Sequence, residues 1–323
     1  MIWLVWRQHR RQALFTLAAL AALAAVMVPT GLSMHAKYDS LGLGACRAVL
    51  GSASMITQTD AVSRCENLGH EFQQEFGGMV FIAILFVVLP VLVGVFFGAP
   101  LVAREIEQGT HRLVWTQGVT RLQWALAKFG LVGAMTAVLS VGYALGVSWW
   151  FQPLVTASTG RLNYLSFDVQ GIVPIAYTLF ALALGVFAGT YWRKVLPAMG
   201  IALVGFAAVR VAIEVLARPR YLPAENVTFA PTGGQTPNPA SGNWVMDVGV
   251  RNAAGDLVLP NAQIGPCPPG GCADTVAGAG AQNWVQYQPG DRFWLFQGIE
   301  TGIFVLLAAA LVFFAVRRLR VIA

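Results

Sequence analysis

Six apolar runs dominate the chain, near Leu14–Ser33, Met79–Leu101, Leu126–Phe151, Gly171–Trp192, Val195–Ala217 and Phe293–Val316. Each can cross about 30 Å of hydrocarbon as a helix, which takes roughly 20 residues. With 323 residues, 56% of them hydrophobic, and a mean hydropathy of +0.62, the chain is too oily for the core of a water-soluble domain. The reading is an all-α polytopic membrane protein. The fourth and fifth runs are separated only by Arg193 and Lys194, which predicts a helical hairpin.

Basic residues orient the spans. Arg7, Arg10 and Arg11 precede the first; Arg104, Arg112, Arg121 and Lys128 lie between the second and third; Arg193 and Lys194 separate the fourth and fifth; and Arg317, Arg318 and Arg320 follow the sixth. Six crossings put all four clusters on one side, and the positive-inside rule makes that side the cytoplasm, with both termini there. The net charge of +6 is therefore topological rather than a nucleic-acid-binding face. The scarcity of lysine beside abundant Ala, Gly, Val and Arg points to a bacterial source. A bacterial plasma membrane is the expected location.

The cysteines agree with this orientation. Cys46 and Cys65 fall in the first outer loop, Cys267 and Cys272 in the last, and an oxidising exterior permits two disulfides. The stretch "CPPGGC" lacks the two further ligands that four-coordinate zinc needs. Arg7, Arg10 and Arg11 ahead of an apolar run also fit a signal peptide. The length of the run and the preceding "MIWLVW" favour a retained span, with an amphipathic segment lying on the inner leaflet.

The organisation expected is spans one to five over residues 1–217, an extracytoplasmic loop domain over 218–292, and span six with a basic tail over 293–323. Within the loop domain, Trp244, Met246, Val248 and Val250 alternate as on one strand face. The stretch "NAAGD" supplies a turn before Leu257 to Leu259. A small β-containing domain between spans five and six follows.

Catalytic machinery is not evident. There is no Gly-Lys pair for a phosphate-cradling loop, and "HEFQQE" has Gln74 where a zinc-protease helix needs its second His. A Gly-x-Ser-x-Gly elbow is also lacking. No catalytic residue and no metal site are assigned, and the chain reads as a channel, transporter or scaffold rather than an enzyme.

Three ionisable residues fall inside the spans: Arg210 and Glu214 in the fifth and Glu300 in the sixth. Each costs about 2.5–3.5 kcal/mol if left unpaired at mid-membrane, so they should face protein or water. Similar depth suggests an Arg210–Glu300 bridge, structural in role or in contact with substrate. The steps Gly94/Gly98, Gly142/Gly146 and Gly185/Gly189 permit close helix crossings.

The polar stretch "VAREIEQGTHRLVWTQGVTRLQWALAKF" between spans two and three is more than a connector. Thr120 and Gln123 form a candidate capping box at the start of span three. Upstream, Ile106, Leu113 and Val114 fit one helix face, with a break near Gly109 or Gly118. The opposite face shows Glu105, Gln108, Arg112 and Gln117 to the cytoplasm. These features suggest a docking element over residues 102–125, comprising Arg104, Glu105, Gln108, Gly109, Thr110, Arg112, Trp115, Gln117, Thr120 and Arg121.

Arg104, Glu105, Gly109, Thr110, Thr120, Arg121 and Lys128 together resemble the corresponding region of bacterial ABC exporter permeases of the type-2 superfamily. "MIWLVWRQHRRQAL" and "YQPGDRFWLFQGIE" are similar to other parts of such permeases. The resemblance implies a coupling helix resting in a groove of a separate cytosolic ABC ATPase, which holds ATP and Mg; no cofactor is expected in this chain. It also implies assembly as a dimer with itself or a related permease, and outward movement of an amphipathic small molecule, drug or lipid. The rivals are a non-transporting sensor or assembly scaffold that binds through the outer domain, and an ion-coupled secondary transporter using Glu214 and Glu300. The latter should carry internal repeats, which are not seen.

Overall fold

A computed structural model describes residues 2–52, 60–109, 120–157, 160–230, 242–264, 278 and 280–321. Among them, six helices are long and apolar enough to cross a membrane. The first is α1 (Ile2–Ser40), followed by the shorter α2 (Leu43–Ser52). α3 (Asp60–Phe76), α4 (Val80–Val93) and α5 (Ala99–Glu107) join end to end into the second span through a 3-10 turn at Gly77–Met79 and a π turn at Gly94–Gly98. The third is α6 (Arg121–Thr156). A six-residue α7 (Tyr164–Val169) leads to the fourth, α8 (Val173–Trp192). The fifth, α9 (Val195–Ala212), continues through a π turn at Ile213–Ala217 to Arg220, and the sixth is α10 (Phe293–Val321).

Each expected span lies within or overlaps one of these helices, but several helices overrun it. α1 is unbroken from Ile2, so the segment expected to lie along the membrane continues the rod of span one. The reason is local: no Gly or Pro occurs before Pro29. Span two begins at Asp60 because the amphipathic α3 buries Val62, Cys65, Phe72 and Phe76 and stacks onto α4.

α8 is the centre of the bundle. Its apolar window is 83% buried, against 17–33% in the other five. A helix apolar on all sides and ringed by neighbours needs no polar face, which fits its run of Ala, Leu, Val and Gly. Span two crosses it at backbone contact. A methyl group on Gly94 would lie 2.4 Å from the Ala181 carbonyl oxygen, and one on Gly185 would lie 2.2 Å from the Gly94 carbonyl oxygen. Two of the three expected glycine steps therefore mate with each other, whereas Gly142 and Gly146 meet no atom within 4 Å. The Phe86 carbonyl in α4 would normally accept from residue 90, but Pro90 has no N–H; the Tyr143 hydroxyl of α6 donates to it instead at 2.7 Å.

Between spans five and six lies a four-stranded antiparallel sheet, in the order β1 (Glu225–Phe229), β4 (Gln282–Gln288), β2 (Trp244–Arg251), β3 (Leu257–Pro260). The hairpin expected from "NAAGD" is present: Asn252 and Asp256 close it through hydrogen bonds in both directions. The single alternating face expected for β2 is not, because a register shift between Val245 and Asp247 bulges the strand at Met246. Gln288 and Arg292 fasten the sheet to the bundle, donating to the Leu222 and Pro223 carbonyls at 2.8 Å each. The two ends of the bundle are called the sheet side and, for the end carrying Glu107, Arg121 and Arg320, the basic side.

On the sheet side, Cys46 and Cys65 form a disulfide that staples α2 to α3. Cys267 and Cys272 lie outside the described residues. Lys37 pairs with Glu71 at 2.8 Å and Glu75 at 3.4 Å, tying α1 to the same unit.

Candidate functional site

On the basic side, the approaches to the segment between spans two and three are fastened to several spans. α5 is capped at Gln108, and Gly109 adopts φ +70°, a left-handed conformation that reverses the chain cheaply only at glycine. Thr110, Arg112, Trp115 and Gln117 lie outside the described residues. The chain re-enters at Thr120, whose hydroxyl accepts from Gln123 N at 3.2 Å while the Gln123 side chain accepts from Thr120 N at 3.3 Å. The expected capping box is thus complete.

Gln108 is exposed, as expected for the face turned to solvent, and so is Arg104. Glu105 is not. Its carboxylate turns back to the buried Lys128 ammonium at 2.5 Å, which also lies over the Trp124 ring. This lysine would otherwise be an unpaired charge among apolar neighbours, so it recruits the nearest acid. Two further ties reach other spans. Glu107 Oε2 accepts from Val195 N at 3.0 Å, and Arg121 Nη1 donates to the Arg320 carbonyl at 3.2 Å. Val195 is the first residue of α9, and Lys194 before it provides no side-chain cap. Glu107 fills that role from another helix, placing a carboxylate at the positive end of the α9 dipole.

Toward the sheet side, the spans enclose a cluster of charges. Asp168, Arg210, Arg218 and Glu300 are at most 6% exposed. Arg218 bonds Glu300 through Nε at 2.9 Å and Nη2 at 2.8 Å, and reaches Asp168 at 2.7 Å. Arg210 pairs with the other Asp168 oxygen at 2.5 Å and lies over the Tyr177 ring. The Tyr177 hydroxyl contacts both acids, and Tyr221 donates to Glu300 at 3.0 Å. Burial, and then the Glu300 carboxylate, raise the Tyr221 hydroxyl above its ordinary value, so it stays protonated as a donor. Two acids thus balance two bases. Glu214, half-buried, stands on the π turn between Arg210 and Arg218.

The expected Arg210–Glu300 bridge is replaced by Arg218–Glu300 and Arg210–Asp168. Depth alone misplaced it, because α9 extends through Arg218 and α7 carries Asp168 inward. The expected boundaries leave Arg218 in the outer loop domain and Asp168 between spans three and four. For Arg218 a signal existed: Arg210, Glu214 and Arg218 recur every four residues, on one helical face. For Asp168 the short helix was unsignalled. Below it, Gln297 of α10 accepts from Ile172 N and Val173 N at 2.9 and 3.0 Å, capping α8.

Within the bundle, spans one, two and three enclose a cavity of about 460 Å³. Its walls are one face of α6, from Val132 through Leu139 to Tyr143; the Leu89–Phe97 stretch of span two; and Phe15 to Leu23 of α1. Thr178 of α8 also lines it.

Among the described residues, five membrane-spanning helices around a buried central sixth define a multi-pass membrane protein. Over residues 17–218 the chain matches the family model described as "ABC-2 membrane transporter related". It therefore belongs to that family, whose members are permease components of ABC type. No curated protein and no solved structure matched the chain.

Proposed function

We propose that this chain is the membrane-spanning permease subunit of an ATP-driven exporter in a bacterial plasma membrane. It does not hydrolyse ATP itself; a separate cytosolic ABC ATPase binds ATP and Mg. The basic side with both termini faces the cytoplasm, following the positive-inside rule, and residues 218–292 form the extracytoplasmic domain. Two such chains, or this chain and a related permease, make the dimer on which two ATPase subunits act. The cargo is an amphipathic small molecule, drug or lipid that enters from the cytosol or inner leaflet.

The observation that carries this reading is how the 102–125 segment is anchored. A passive connector needs no ties beyond its own two spans. Here, beyond the Glu105–Lys128 tie between those two spans, the segment's entry is bonded to α9 through Glu107 and its exit to α10 through Arg121. A push on Arg104, Gln108 or Arg112 by a closing ATPase dimer would thus reach spans two, three, five and six at once. Rigid-body rearrangement of that kind is a known route for switching between two accesses.

The test is purification of the full chain from its host under mild conditions, followed by identification of cosedimenting proteins. A Walker-type ATPase is expected, and Arg104→Glu with Arg112→Glu should release it while leaving the chain folded. Recovery of no ATPase would favour the scaffold reading instead.

A further inference from the structure

The cavity between spans one, two and three has a lining chemistry that selects its occupant. Its volume of about 460 Å³ falls within the range of small-molecule sites, roughly 300–1,000 Å³. Among the described residues, no charged side chain lines it. The polar groups among the described lining residues are four hydroxyls: Thr136, Ser140, Tyr143 and Thr178. Three of them have their protons engaged. Tyr143 donates to Phe86 O at 2.7 Å, Ser140 to Ala137 O at 2.9 Å, and Thr178 to Pro174 O at 2.7 Å. The Tyr143 proton is the hardest to redirect, because Pro90 leaves the Phe86 carbonyl without its helical partner. Those three hydroxyls therefore offer lone pairs while their protons stay engaged.

Two further features mark the cavity as built rather than left over. Thr136, Ser140 and Tyr143 lie on one face of α6 at helical spacing. The wall from span two includes Phe96 and Phe97 of the π turn, an irregularity that often accompanies functional sites. Phe15 and Phe96 of the lining are 77% and 55% exposed, so the cavity communicates with the surface of the bundle.

We infer that this cavity binds an uncharged amphiphile with an apolar body and at least one hydrogen-bond donor, such as a long-chain alcohol or the hydroxyl end of a neutral glyceride. A charged head would lose its hydration with no counter-charge in the lining. A molecule without a donor would leave the hydroxyl lone pairs unused. The inference narrows the cargo class of the proposed exporter and rests on that reading for its biological meaning, but the binding itself needs no ATPase.

The experiment uses the full chain in lipid nanodiscs, without partner subunits. A long-chain alcohol with a mid-chain diazirine is photolysed, and labelled peptides are compared with those from the matching trimethylammonium and carboxylate probes. The alcohol should label the 132–143 and 89–97 stretches, and excess unlabelled alcohol should suppress that labelling. The double variant Thr136→Val/Ser140→Val should lower it about five-fold, the worth of one net hydrogen bond, and Ala19→Trp should abolish it by filling the space. Equal labelling by either charged probe, or labelling of all lipid-facing spans that the competitor does not reduce, would overturn the inference. Should Ala19→Trp fail to fold, the competition on the unmodified chain decides. Because copurification of an ATPase is measured separately, the exporter reading survives or fails independently of this result.

Discussion

Arg218 grips Glu300 with two nitrogens, Nε at 2.9 Å and Nη2 at 2.8 Å, joining the end of span five to span six where both side chains are shut off from solvent. The same Nη2 reaches Asp168 at 2.7 Å. One guanidinium therefore neutralises parts of two acids from two other elements.

Removing that guanidinium should be severe. Arg218→Ala leaves both carboxylates buried with one fewer counter-charge, a change that costs about 3–5 kcal/mol. Thermal unfolding in detergent should show the loss. Adding Glu300→Gln should recover part of it, since one charge then needs no partner. A double variant no more stable than Arg218→Ala would deny the pairing.

Glu107 and Val195 offer a milder test. Glu107→Gln keeps a carbonyl oxygen to accept from Val195 N but loses the charge at the α9 N-terminus, whereas Glu107→Ala loses both. Expected costs are about 0.5 kcal/mol for the first and about 1 kcal/mol for the second. Hydrogen exchange at the first amides of α9 should rise in that order. Identical exchange in all three proteins would contradict the cap.

The crossing of spans two and four predicts a steric failure. Gly185→Leu would drive a side chain into the Gly94 carbonyl, already 2.2 Å from a Cβ at that site. Because the obstacle is backbone, the helices must separate, and folded yield should fall sharply. A Cβ at Gly142 or Gly146 meets no described atom within 4 Å, so Gly142→Leu and Gly146→Leu should leave the folded yield of the protomer unchanged. If they also disrupt a dimer measured by crosslinking, that face is the interface.

For the disulfide, Cys46→Ser with Cys65→Ser should free α2 from α3. Closing a separation of 19 residues is worth about 3 kcal/mol in the chain-entropy model. The effect should appear as faster proteolysis of the α2–α3 unit. The unmodified protein should resist alkylation at both positions until reduced.

Much of the architecture was legible because it depends on local or additive properties. Span positions follow from summed hydropathy, the Thr120–Gln123 cap from a four-residue pattern, and the Cys46–Cys65 link from two cysteines in one short loop. Hidden from the sequence were β1 and β4, whose pairing joins segments far apart in the chain. The inward turn of Glu105 was hidden too. A helical wheel places that residue on the polar face, and only the position of Lys128 shows that the acid serves a buried base.

The sequence by itself determined a membrane protein of six spans with its four basic clusters expected on one side, because the cost of placing charge and bare backbone in hydrocarbon is set residue by residue. Only the tertiary structure decided that α8 is the central helix and that Arg218 rather than Arg210 holds Glu300. It also revealed that Glu107 caps a helix from another span. Those outcomes turn on which side chains meet across helices, and depth along a helix leaves rotation and neighbour unspecified.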